Sequence, residues 1–533
     1  MKTLGRSVIL LVCYVYPAHA QQVYHDCATP PSTFRNVWYI DPVNGKTQAA
    51  GGNGSQAHPW NSLEAVAAAV TGYPYPLLTT APYRHANATD TAAVFAAGPA
   101  AGPIKPGDEI LLMSGNYGNV GICQYNTEIS NSSFVTVAAA PGQTPVLTAL
   151  GLCSTSMWAF DGLKVQSLEA AAVGTSFLVG VADQGASLPA SNIVFENMTI
   201  SSQDDVSGWT QAQWVANARN GFDAQSSAGG VDTKCISMTG SHISNVRSGA
   251  SLGADLTLFS GNEIDHFGDD GIDYGASNLS ITKNYIHDNL DIGDGNHPDA
   301  MQGVIGRLPA GVAVNNFEAI VIDSNTVIRQ TDPNLAFPGG LQGIDAFNSN
   351  WTYLWVTNNV VITSACWGIA FSSVHGGLIA NNTVVSDGLL ATSGGCSPAV
   401  SVGDKTAGGS SSDDVTVINN LANVISVYNL DPGVTAGHNV GMATAGPVFS
   451  WYVNGVAKFY GSPGTYGNAN IIAAGGPAAE FVDFDPSTLT YNVKLKAGAP
   501  AIGAGTATDA PAVDILGVTR TAPYDAGAYS YPE

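Results

Sequence analysis

Short stretches of alternating apolar and polar residues recur through the middle of the chain, each ending at an asparagine. Leu279-Ser280-Ile281-Thr282-Lys283-Asn284 is one copy and Ile320-Val321-Ile322-Asp323-Ser324-Asn325 the next. Leu354 to Asn359 and Val415 to Asn420 repeat the layout, with the Asn in the same place after the first apolar position. Looser copies begin at Ile193, Ile236, Leu256 and Leu378, with Asn197, Asn262 and Asn382 nearby. The alternation predicts β-strands. An Asn at a fixed place predicts a tight turn that tolerates left-handed backbone. The interval between copies varies, so loops of different length interrupt the repeat. Each unit is too short to bury its own apolar face, so units must stack on one another. Parallel strands about 4.7–4.9 Å apart, turning at stacked Asn residues, make an all-β solenoid, the right-handed parallel β-helix. Propeller blades would be more uniform in length, and a sandwich would show hairpin turns such as Asn-Gly, which are rare here.

The two ends read differently. Residues 1–20 carry Lys2 and Arg6, an apolar run from Val8 to Val15 and a small-x-small site at Ala18-His19-Ala20. That is the layout of a secretory signal peptide, and the apolar run is too short to span a bilayer. A secreted protein, extracellular or periplasmic, is expected, with no membrane span. Beyond the leader there are six cysteines: Cys27, Cys123, Cys153, Cys235, Cys366 and Cys396. An even count in an exported chain favours disulfides over metal binding. Cys123 with Cys153 and Cys366 with Cys396 are the expected pairs, each about one repeat apart. The net charge of −23 excludes a nucleic-acid partner, whose phosphates need Lys and Arg. A monomer is expected.

Trp38-Tyr39-Ile40-Asp41-Pro42-Val43-Asn44-Gly45, then Gly52-Asn53-Gly54-Ser55 and Pro59-Trp60, resemble the entry to pectate-lyase-like β-helices. Ile104 to Leu111 and Ser114-Gly115-Asn116-Tyr117 resemble the first full rung of that family. Asp514, Gly517, Arg520, Asp525, Gly527, Ala528 and Tyr529 resemble the closing motif of many exported β-helix proteins. The resemblance implies four segments. After the leader, residues 21–100 hold an N-terminal strand, a loop and a short helix, Ser62 to Val70, that caps the open coil. Residues 101–430 form the coil, and 431–533 its last rungs and a cap.

Polar residues gather in three segments: Gly268-Asp269-Asp270-Gly271-Ile272-Asp273-Tyr274, then His297-Pro298-Asp299-Ala300-Met301-Gln302-Gly303, then Leu341-Gln342-Gly343-Ile344-Asp345. Overlaid as successive rungs, they place Ile272, Met301 and Ile344 inward. Asp273, Gln302 and Asp345 form one outward column, extended upstream by Asp223 and Ser251. Asp270, Asp299 and Gln342 form a second. Crowded like charges are unfavourable, so a cation, a shared proton or a basic neighbour must offset them; Arg247, Lys283, Arg307 and Arg329 are the nearest in sequence. The bland reading of Asp269, Asp270 and Asp273 is turn chemistry. His297 with Asp299 fits no cap or turn pattern and is the stronger functional pair. Asp265, His266, His287, Asp288 and Arg329 follow the Asn turns and read mainly as an ion-pair ladder. Trp209 and Trp214 lie in an insertion long enough to wall a groove.

The leading expectation is a polysaccharide lyase acting on a uronate-containing chain by β-elimination. Asp270, Asp273 and Asp299 would hold Ca²⁺, which takes oxygen ligands and would neutralise the substrate carboxylate. His297 would be the base, with Arg307 as the basic alternative. Asp345, Gln302, Tyr274, Gln342 and Arg329 would bind substrate. The rival is a glycoside hydrolase using Asp270 and Asp299 as acid and base. The Asp-Asp-Gly and Pro-Asp-Ala runs resemble polygalacturonase-like β-helices, but the Gly-His-Gly and Arg-Ile-Lys elements of that family are absent. A uronate epimerase shares the lyase's first step, and a non-catalytic glycan-binding adhesin is the reading without chemistry.

Overall fold

In the computed structural model, residues 27–63, 104–123, 132–167, 177–182, 189–226, 233–303, 315–347, 349–390, 397–403, 411–427, 433–442, 447–453 and 456–532 are described. The signal peptide, nearly all of the expected capping helix, Arg307 and Cys396 lie outside them.

Three long sheets run the length of the molecule, and the chain visits them in turn. Among the described residues sheet I holds 13 strands, sheet II 14 and sheet III 13. One coil passes through Leu258–Ser260 in sheet I, Glu263–Phe267 in sheet II and Ile272–Tyr274 in sheet III. The next coil stacks on it in parallel register, Phe259 on Ile281, Ile264 on Ile286 and Ile272 on Met301. Crossovers between parallel strands are right-handed, and the architecture is a right-handed parallel β-helix. Its interior is a column of fully buried Ile, Val, Leu and Phe, with Trp158, Phe160 and Phe195 stacked ring on ring. Among the described residues no helix is long and apolar enough to cross a membrane.

The recurring Asn marks the corner between sheets I and II. Asn262, Asn284, Asn325, Asn359, Asn382, Asn420, Asn439 and Asn470 form a continuous ladder in which each amide bonds to the next. Asn325, for example, donates its side-chain amide to Asn359 Oδ1 and to the Ile281 carbonyl, and accepts from the Asn284 backbone N–H. The left-handed backbone falls one residue earlier than expected, on Lys283, Ser324, Asn358, Asn381 and Asn419. The ladder Asn is therefore kept for its amide, not for its tolerance of positive φ.

After the last coil, the antiparallel pair Phe481–Asp485 and Thr490–Leu495 and the segment to Ala528 fold back over sheet II. Phe481, Val493, Ala501 and Ala526 bury Ile328, Val360, Ile362 and Val385 on its outer side. Arg520, from the closing motif, bonds the Asn358 side chain at the corner.

A disulfide joins Cys27 to Cys235, 208 residues apart, a pair the sequence reading did not propose. Cys153 and Cys366 are also disulfide-bonded. Cys123 and Cys153 are register partners on adjacent strands of sheet III.

Candidate functional site

The outer column of sheet III has the register expected from sequence. Asp223 pairs with Ser251, Ser251 with Asp273, Asp273 with Gln302 and Gln302 with Asp345. Asp299 pairs with Gln342. The inward residues Ile272, Met301 and Ile344 are fully buried and fix the pleat. Glycine lets the strands enter this sheet side by side: a Cβ on Gly343 would fall 1.9 Å from the Gly368 carbonyl oxygen.

The carboxyls crowd at the corner where the chain enters sheet III. Asp299 donates its backbone N–H to Asp270 Oδ1 at 2.8 Å. Gln302 Nε2 donates to Asp299 Oδ2 at 2.8 Å, and His297 Nδ1 lies 3.3 Å from the same oxygen. Gln342 Nε2 is 3.3 Å from His297 Nδ1. The carboxyls of Asp299 and Asp345 lie within hydrogen-bond reach of each other, as do those of Asp270 and Asp273. No donor among the described residues reaches Oδ1 of Asp273, Asp299 or Asp345, although all three atoms are buried. Two carboxylates in contact are acceptors only, so a proton or a cation must lie between them.

The electrostatics follow from this crowding. Burial, then Asp273, pushes the Asp270 carboxyl up to about 8. Burial, then Asp299 and Asp269, raises Asp273 to about 7. Asp345 is held well above the carboxylate range by burial and by Asp299. Asp299 and Asp345 are 0% and 1% exposed, so the columns read as open surface are partly roofed. His297 stands over them with its side chain 74% exposed.

The loop that carries His297 is fastened from several sides. Arg247 pairs with Asp269 and Asp294, each at 2.7 Å, and Asn296 donates to Asp269. Gln211, on the helix Gln211–Asn217, donates to the Asp291 carbonyl at 2.7 Å. That helix starts at a Thr210–Gln213 capping box. Its Trp214 meets Trp209 edge to face and packs with Leu290, Ile292 and Leu335. The insertion is thus a braced wall beside the carboxyl corner.

Two residues expected to contact substrate, Tyr274 and Arg329, are buried. Tyr274 is fully buried, with its O–H donating to the Asp345 backbone carbonyl and its ring against Trp351. It alternates with Asp273 and so points into the coil, as does Trp351. Arg329 is 1% exposed and is bound to Asp387 at 2.6 Å and to the Gly339 carbonyl. It neutralises a buried carboxylate beside sheet II. Lys283 sits at the ladder corner between sheets I and II. A second cluster, His242, Glu263 and Asp265 on sheet II, has donor atoms that all lie within 4.8 Å of one another; of the three, only Asp265 belongs to the ion-pair ladder expected from sequence.

No family model and no curated protein matches the chain. Solved structures do. Pectate lyase Pel9A is 15% identical, covers 93% of this chain and 97% of its own, and has a TM-score of 0.39. The A-module of the Azotobacter vinelandii mannuronan C-5 epimerase AlgE6 is 15% identical over 72% of this chain and 93% of its own, at 0.45. The Streptococcus pneumoniae surface adhesin PfbA is 9% identical over 67% of this chain and 89% of its own, at 0.37.

Proposed function

We propose that this chain is a secreted carbohydrate-active enzyme that cleaves a uronate-containing polysaccharide by β-elimination at the sheet III corner. The observation that carries this reading is the set of buried carboxyl oxygens of Asp273, Asp299 and Asp345 with no donor among the described residues. Such oxygens fit a hard cation, and Asp270, Asp273, Asp299 and Asp345 would hold Ca²⁺. When bound, the ion supplies the positive charge that makes the proton beside a uronate carboxylate removable. The protein's own groups do the rest. With Nδ1–H donated to Asp299, His297 presents Nε2 as the proton acceptor on the exposed side. Gln302 fixes the Asp299 carboxylate by donating to its Oδ2. The insertion with Trp209 and Trp214 walls one side of the groove. An acidic surface that meets an acidic substrate through a cation also accounts for the −23 charge. The Cys27–Cys235 bond fits an oxidising, extracellular compartment.

One observation favours hydrolysis as the second reading. A carboxyl raised to about 8, as on Asp270, is protonated at neutral pH and suits a general acid. The deciding experiment incubates the purified protein with polymannuronate, polyguluronate, polygalacturonate and neutral glycans, with Ca²⁺ or chelator. Ultraviolet absorbance of an unsaturated product, lost on chelation, supports Ca²⁺-assisted elimination. New reducing ends without that absorbance support hydrolysis. Binding with neither signal overturns the enzyme reading.

A further inference from the structure

A histidine and carboxylate cluster lies on the outer side of sheet II, apart from the carboxyls of sheet III. His242 begins the strand His242–Val246, and its register partner on the next rung is Glu263. Two residues on, Asp265 pairs with His287 on the rung after that. Residues two apart in a strand share a face, so His242, Glu263 and Asp265 converge from two successive rungs, and His287 on the third lies against Glu263. Ligand atoms of His242, Glu263 and Asp265 all lie within 4.8 Å of one another. His242 Nε2 contacts Asp265, and His287 Nε2 is 3.2 Å from Glu263 Oε1. His287 turns its other nitrogen to Asp288 at 2.6 Å, and Asp288 is anchored by the hydroxyl and backbone N–H of Thr331. An imidazole aimed by a carboxylate on its far nitrogen is the usual outer support of a metal-binding histidine. The cluster is open to solvent: the His242 and Glu263 side chains are 44% and 48% exposed. A cavity of about 410 Å³ reaches Asp265 and His266 from the side of Trp214.

The donor set decides the ion. Ca²⁺ and Mg²⁺ take oxygen ligands, whereas imidazole nitrogen with carboxylate suits Zn²⁺ and its transition-metal neighbours. Tetrahedral Zn²⁺ with ligands at about 2.0–2.2 Å needs donors roughly 3.3 Å from one another, and the His242, Glu263 and Asp265 donor atoms lie within 4.8 Å of one another. We propose that His242, Glu263, Asp265 and His287 form a binding site for one divalent transition-metal ion of the Zn²⁺ class, independent of the sheet III corner. The ion ties three rungs together on the part of sheet II that the C-terminal segment leaves open.

The test uses the purified full-length protein, stripped with chelator and titrated calorimetrically with Zn²⁺. Co²⁺ is added in parallel to read nitrogen and oxygen coordination from its visible spectrum. One Zn²⁺ per chain is expected, together with a rise in Tm on binding. His242→Ala and Glu263→Gln, both at half-exposed positions, each weaken binding by about 10–100-fold, with apo circular dichroism unchanged. Asp273→Asn, at the other cluster, leaves Zn²⁺ affinity as it was. Failure of the wild-type chain to take up Zn²⁺, or equal affinity in the His242→Ala, Glu263→Gln double variant, overturns the site.

Discussion

Asp299 and Asp345, on adjacent rungs of sheet III, turn their carboxyls toward each other while one oxygen of each has no donor among the described residues. Such a pair persists only with a proton or a cation between its members. Replacing Asp345 with Asn gives Asp299 an N–H to accept from. Asp345→Asn is expected to raise stability by about 1–3 kcal/mol, measured by urea unfolding in chelator, while activity on the polyuronate substrate falls by at least about 100-fold. A variant that is less stable and fully active would remove the pair from the site.

The same carboxyls set a pH dependence. Asp270 and Asp273 are raised to about 8 and about 7 when folded, against about 3.9 when unfolded. Above about pH 4 the unfolded chain releases protons that the folded chain keeps, so stability falls as pH rises. The contribution is whole below the unfolded value and gone once pH passes through 7 to 8. Calorimetric scans in chelator should show Tm declining across that window. Ca²⁺ favours the ionised carboxyls, so its stabilising effect should grow over the same window. A flat profile with no Ca²⁺ effect would contradict the cation reading.

His297 is the most exposed member of the site, so its role separates cleanly from folding. His297→Ala is expected to leave Tm unchanged and to lower kcat by about 10²–10⁴-fold. Loss in KM alone would make it a binding residue.

The Asn ladder makes a prediction about stability. Asn325→Ala removes amide bonds to Asn359 and to the Ile281 carbonyl, and strips acceptors from the Asn284 backbone N–H and amide. The cost should be about 2–4 kcal/mol, measured by denaturant midpoint. An exposed loop change such as Asn334→Ala serves as the reference.

The coil was legible because its two signals, alternation and the corner Asn, are local. The register of Asp273, Gln302 and Asp345 followed once the inward Ile272, Met301 and Ile344 were aligned. Tyr274 shows where polarity misleads: a strand has period two, so a residue beside Asp273 points inward, and its hydroxyl is satisfied by a backbone carbonyl. Arg329 reads as a free cation because its partner Asp387 lies 58 residues away. The Cys27–Cys235 bond depends on a contact between distant turns, which residue spacing does not encode.

From Asn262 to Asn470 each turn bends through a left-handed residue and locks with an amide at the same corner, so that edge has a fixed stride. Insertions there would break the stack, whereas the chain can lengthen freely on its way into sheet III, as the helix-bearing segment before Asn220 does. Scaffold and groove can therefore diverge separately. Descendants of such a chain can exchange their specificity loops wholesale while inheriting the spine unchanged.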